Sequence, residues 1–150
     1  MGDLKLASSD FLDGDEIPRY CGYKNENHEP LLTISGIPEG TESLALIMDD
    51  PDAMGAVGKV WVHWVMWNIW PSNMTLIPDD PFNGATEGMT DFGKAGYGGP
   101  APPDKRHTYV FKLYALDCKE LTCADGKATK ADVEKAMEGH IVDQATLTGT

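Results

Sequence analysis

The chain has 150 residues, of which 24 are acidic and 12 basic, giving a formal net charge of −12 at pH 7. That balance excludes nucleic acid as a partner, because such binding is driven by basic groups meeting phosphates, and it disfavours docking by charge on an anionic membrane. The length suits a single domain with a proper core, and the acidity serves solubility, as in a salty cytoplasm. No apolar run is long enough to cross a membrane, and Met1 to Ser9 carries two charges and no signal-peptide core. A cytoplasmic protein without integral membrane contact is expected. Cys21, Cys118 and Cys123 form an odd set without CxxC spacing, which fits reduced thiols. The triplet Asn73-Met74-Thr75 matches a glycosylation acceptor and, without a secretion signal, reads as chance.

Leu4 to Ala7 reads as a short edge strand, and residues 8 to 30 as a polar, turn-rich arm over a sheet. Leu31 to Ser35 is a strand, followed by the loop Gly36 to Gly40. The centre of the chain is a strand over 43 to 50, an acidic turn Asp49-Asp50-Pro51-Asp52, a Gly-rich loop, and a second strand over 60 to 70. Pro51 must leave the sheet, and Gly55 and Gly58 allow the return. At period two, Trp61, His63, Val65, Trp67 and Ile69 share one face of the second strand, and Val62, Trp64, Met66 and Asn68 the other. A strand this apolar is buried on both sides. Residues 71 to 92 read as loop with a short strand near Asn73 to Ile77, and Ala95 to Asp104 is too rich in Gly and Pro for regular structure. His107 to Asp117 is a further strand, with His107, Tyr109, Phe111, Leu113 and Ala115 on one face. A helix follows, N-capped by Thr129 with Asp132 three residues on, and its apolar spacing reaches His140-Ile141. Ala145 to Gly149 is a candidate last strand. Many strands with turn signals and one late helix predict a mainly β sandwich with the helix packed at its end.

Three carboxylates within four residues repel one another, so Asp50 and Asp52 read as functional, while Asp49 reads as a turn residue. His63 alone would pass for a core histidine. His107 opens a strand directly after a Gly/Pro loop, where sites gather, and Tyr109 follows on the same face, although packing explains it as well. His28 and His140 have no supporting context. The loop Gly96 to Pro103 could offer backbone N–H groups to an anion or serve as a rigid connector. Asp and His could hold a metal, but no HxH or HxxxH spacing supports one. No GxSxG nucleophile is present, so no catalytic residue, metal or cofactor is assigned.

Together these residues resemble the phosphatidylethanolamine-binding protein family, in its short bacterial and archaeal Raf-kinase-inhibitor-like branch. The resemblance begins at Pro30-Leu31-Leu32 and Pro38 to Leu44. It is sharpest at Asp50-Pro51-Asp52-Ala53, at Trp61 to Val65 with Asn68-Ile69, at Tyr97 to Pro103, and at His107-Thr108-Tyr109. It implies a sandwich of two antiparallel sheets with a small pocket near one end, lined by Asp50, Asp52, His63, Gly99, Pro100, His107 and Tyr109. Family pockets accept phosphate-type anions and phosphoethanolamine head groups, and members have been assigned as kinase inhibitors, protease inhibitors and scaffolds. Met54 stands where a proline is usual, Asp104-Lys105-Arg106 is a short and basic connection, and the long C-terminal helix of animal members is absent.

The resulting expectation is an anion pocket in which His107 and the Gly98 and Gly99 N–H groups meet a phosphate. Asp50 or Asp52 would orient a histidine, His63 or His107, as a cation and meet a ligand ammonium. The rival readings are an inhibitor or scaffold that acts through its surface with a vestigial pocket, and a slow phosphoesterase. Exposed faces of Trp64, Trp67 or Trp70 would suit a homodimer, and core burial would explain them equally.

Overall fold

A computed structural model of the chain describes residues 3–71, 74–76, 86–101, 107–121 and 128–150. Cys123, Asn73 of the glycosylation triplet and the basic connection at 104–106 lie outside them. The apolar run after Glu42 forms β3 (Ser43–Asp50), buried at every position. It sits at the centre of a five-stranded antiparallel sheet, between β4 (Trp61–Ile69) and β7 (Tyr109–Leu116), with β6 (Thr86–Glu87) and β8 (Ile141–Gly149) at the edges. A second antiparallel sheet of β1 (Lys5–Ser8), β2 (Leu32–Ser35) and β5 (Met74–Leu76) covers one face. Between the sheets lie Leu6, Leu32 and Ile34 from the small sheet against Leu46, Met48, Trp64, Met66 and Phe111 from the large one. On the opposite face, Val133 and Met137 of helix α2 (Lys130–Met137) pack on Ile47, Val65, Trp67 and Leu116. The sandwich with one late helix is as the sequence predicts. Trp64 and Trp67 are core residues, and of the tryptophans invoked for a dimer only Trp70 is exposed.

Four local expectations change. The acidic turn does not lead into an open loop: Ala53–Val57 forms a one-turn helix, α1, closed by Gly58 at φ +77°. Helix α2 stops at Met137, because Gly139 at φ +81° reverses the chain. Ile141 therefore opens β8, which pairs with β7 along its length and is longer than the 145–149 expected. Thr86–Glu87 adds a short edge strand that the loop-like sequence hid.

The fourth change is the alternation of β4. Met48 pairs with Trp64 but Asp49 pairs with Val62, so His63 is an extra, bulged residue. A second shift lies between Met66 and Ile69, where Asn68 takes φ +58°. The predicted face is thereby split: Val65 and Trp67 face the helix, whereas Ile69 joins Trp64 and Met66 between the sheets.

Asp49 spans the sheet and α2, with its Oδ2 accepting from Lys112 Nζ at 3.1 Å and Lys130 Nζ at 2.7 Å. The helix start is fixed by a reciprocal capping box between Thr129 and Asp132. Thr129→Ala removes the hydroxyl that accepts from Asp132 N–H, and the expected loss is about 1 kcal/mol in urea unfolding; an unchanged midpoint would show that the cap contributes nothing to the fold.

Candidate functional site

Because β3 and β7 run antiparallel with Asp49 opposite Val110, the approach to β7 carries His107 beside the end of β3. There His107 Nδ1 meets Asp50 Oδ2 at 2.5 Å, and both side chains are buried. The other carboxylate oxygen of Asp50 accepts the Asp52 N–H at 3.0 Å, which shapes the turn after β3. The carboxylate is thus held from two directions by its own chain.

His63 comes to the same place from β4. Its bulge turns the ring to the inter-sheet side, next to Tyr109 (ring centroids 5.2 Å apart, 89°) and Phe92 (5.3 Å, 69°). Nδ1 lies 2.6 Å from the Gly98 carbonyl, and Gly98 N–H donates back to the His63 carbonyl at 2.9 Å. A carbonyl only accepts, so Nδ1 carries the proton. In the neutral ring Nε2 then carries the lone pair. Burial pushes the His63 pKa below its ordinary 6.5, against the opposing pull of the Gly98 carbonyl and the Asp50 carboxylate. His63 is therefore a neutral imidazole at pH 7, not the cation considered from the sequence.

Asp50, His63 and His107 line one cavity of about 210 Å³, closed by Ala53, Val57, Trp61, Phe92 and Ala101. The other four predicted residues stand around it. Tyr109 supports the His63 ring from behind, and Tyr109 and Pro100 line a second cavity of about 390 Å³ that shares the His107 wall. Gly99 is pressed against the arm, where any Cβ would overlap the Cys21 carbonyl oxygen. Asp52 is exposed and accepts the Thr108 N–H at 2.8 Å, so it positions the approach to His107.

The loop N–H groups are also committed. Gly98 N–H is used by His63, and Gly99 N–H donates to Asn27 Oδ1 at 2.7 Å. The expectation that these groups face a phosphate is overturned by that geometry. The arm over residues 8 to 30 does the holding: Asn27 Nδ2 donates to the Tyr97 carbonyl at 3.1 Å, and Tyr97 O–H donates to the Cys21 carbonyl at 3.0 Å. Sequence reasoning missed Asn27 and Phe92. The left-handed φ of +51° at Asn27 and the Tyr23–Phe92 stack at 4.0 Å depend on long-range contacts that no local pattern announces. Away from the pocket, past the far end of β7, Asp117, Cys118 and His140 approach one another, with His140 bonded to Asp117 at 2.8 Å.

A β-sandwich with a small cavity and two imidazoles on its wall is the architecture of a small binding protein. The model of the family described as "Phosphatidylethanolamine-binding protein" matches residues 7–150, and the chain belongs to this family. Its relatives include a UPF0098 protein of Methanothermobacter thermautotrophicus, 42% identical over 148 residues and covering 97% of both chains. Another is the UPF0098 protein YbhB of Escherichia coli, 34% identical over 159 residues, covering 97% of this chain and 98% of the relative. Among solved structures, a phosphatidylethanolamine-binding-protein homologue from Chlamydia trachomatis superposes with a TM-score of 0.90 at 33% identity, covering 99% of this chain and 97% of the other. Escherichia coli YbcL, described as a member of the mammalian PEBP family, gives 0.89 at 32% identity, covering 98% and 96%. No helix among the described residues is long and apolar enough to cross a membrane.

The lowered pKa of His63 has a consequence for stability. The unfolded chain binds the proton more readily than the folded one, so stability rises with pH through this group and is lost as pH falls from about 6.5 towards the folded value. His63→Asn should remove that part of the acid sensitivity. Parallel urea titrations between pH 7.5 and about 4.5 check it: the difference in stability between wild type and variant should shrink on acidification, and a constant difference would contradict a buried neutral His63.

Proposed function

We propose that the chain is a small binding protein whose pocket takes the phosphate end of a phosphate monoester or of a phosphoethanolamine-type head group. The observation that carries this reading is the buried Asp50–His107 contact at 2.5 Å on the wall of a cavity that His63 also lines. A carboxylate on Nδ1 fixes the ring orientation of His107 and stabilises its cation whenever the ring is protonated, which suits it to an anionic ligand. At about 210 Å³ the cavity is smaller than the ~300–1,000 Å³ usual for drug-sized ligands, and so matches a head group better than a whole lipid. Solved relatives described as phosphatidylethanolamine-binding-protein members point the same way.

The protein acts by binding, with a regulatory role towards a kinase or protease, and not by catalysis. Among the described residues that line the cavity there is no Ser, Thr or Cys to serve as a nucleophile. The ammonium of a zwitterion would sit at the mouth, since both Asp50 oxygens already accept hydrogen bonds from the chain. The free thiols of Cys21 and Cys118 suit a reducing cytoplasm.

Calorimetric titration of O-phosphoethanolamine and of inorganic phosphate tests the reading. Wild type should bind saturably, and His107→Ala should lose at least about tenfold in affinity, the size of one charge-assisted hydrogen bond. Wild-type heat indistinguishable from dilution would discard the pocket reading in favour of a protein that acts through its surface. Turnover of a phosphate ester, lost in His107→Ala, would replace binding by catalysis.

A further inference from the structure

The two histidines on the cavity wall are not equivalent. His107 turns its Nδ1 to a carboxylate, whereas His63 turns its Nδ1 to the Gly98 carbonyl at 2.6 Å. The second contact fixes the neutral tautomer of His63 and leaves Nε2 as a lone-pair acceptor on a ring that is 2% exposed. Phe92 and Tyr109 meet this ring edge to face, so it cannot swing to exchange its nitrogens. A lone-pair acceptor on a cavity wall is met by a ligand that brings a donor, and a fully deprotonated anion has none.

The charge of the wall points the same way. Asp50 with a protonated His107 sums to zero, His63 adds nothing, and among the described residues no Lys or Arg lines the cavity. A monoanion that keeps one proton brings both a donor and several acceptors to this wall.

We propose that His63 Nε2 accepts a hydrogen bond from the P–O–H of a monoprotonated phosphate group, so that the pocket selects phosphate monoesters over the isosteric sulfate monoesters. This rests on the anion-pocket reading above and names the ligand class that pocket takes. A sulfate monoester has the same shape and a charge of −1 but no proton to give. Placed in the cavity it sets an oxygen lone pair against that of Nε2 and leaves the acceptor unpaired. Sites built around such a hydrogen bond reject the analogue that lacks it. Selection therefore comes from a position of the proton and not from charge or size.

The test is competitive calorimetry with O-phosphoethanolamine and 2-aminoethyl sulfate at about pH 6.5 and constant ionic strength, where the phosphate ester retains a sizeable share of its second proton and the sulfate ester has none. The expected result is phosphate binding with sulfate at least about 100-fold weaker. Affinities within about threefold of each other would overturn the selection while leaving the anion pocket intact. No binding of either would remove the pocket reading and the selection with it. His63→Asn keeps an amide for the Gly98 carbonyl and removes Nε2, so the preference should fall to within about threefold; a variant that binds with full preference would assign the proton to another group. The wild-type comparison stands by itself if that variant does not fold.

Discussion

The contact on which the site depends is the one between Asp50 and His107. It lies just past the last rung of the β3–β7 ladder and continues that pairing through side chains. It also anchors the turn, since Asp50 receives the Asp52 N–H, and Asp52 in turn receives the N–H of Thr108, next to His107. The two aspartates thus form a closed loop of bonds that sets where His107 stands. A buried carboxylate facing an imidazole is tolerated only when both are well paired, and here each oxygen of Asp50 has a donor.

The rest of the pocket is built by two departures from regular structure. The bulge at His63 turns a residue that would lie with Val65 towards the helix into one that faces the inter-sheet space. The loop through Gly98 and Gly99 is then held against that strand and against the arm. Gly98 admits no Cβ because the Phe92 ring lies there, and Gly99 admits none because the Cys21 carbonyl does. The glycines allow close packing of backbone, and their N–H groups are spent on His63 and Asn27. The pocket side chains come from β3, β4 and the approach to β7, and the loop's part is to fix the tautomer of His63.

Much of this was legible in the sequence. The apolar runs of β3, β4 and β7 are long and unbroken enough to be read as buried strands, and Thr129 with Asp132 marks the helix start. Asp50 stood out as one of three carboxylates within four residues and His107 as the opening of a strand after a Gly/Pro loop, whereas His63 alone passed for a core histidine. The features that the sequence misplaced share a cause. The faces of β4, the length of β8 and the roles of Asp52 and the glycine N–H groups are set by partners far along the chain, which period and spacing do not encode. Phe92 and Asn27 lie in irregular segments and were invisible for the same reason. The family resemblance names Asp50, His63 and His107, which the structure places on one cavity wall, but does not separate them from the residues that stand around it.

The central claim is that the pocket holds two different imidazoles, a neutral His63 with its proton on Nδ1 and a carboxylate-paired His107. Two-bond proton–nitrogen correlation spectra of the uniformly labelled protein at pH 7, recorded before and after saturation with O-phosphoethanolamine, read this directly. The account predicts His63 as the neutral Nδ1–H tautomer, with its Nε2 resonance moving on ligand addition together with that of His107. A charged or Nε2–H His63, or saturation that leaves both rings unmoved, would contradict it.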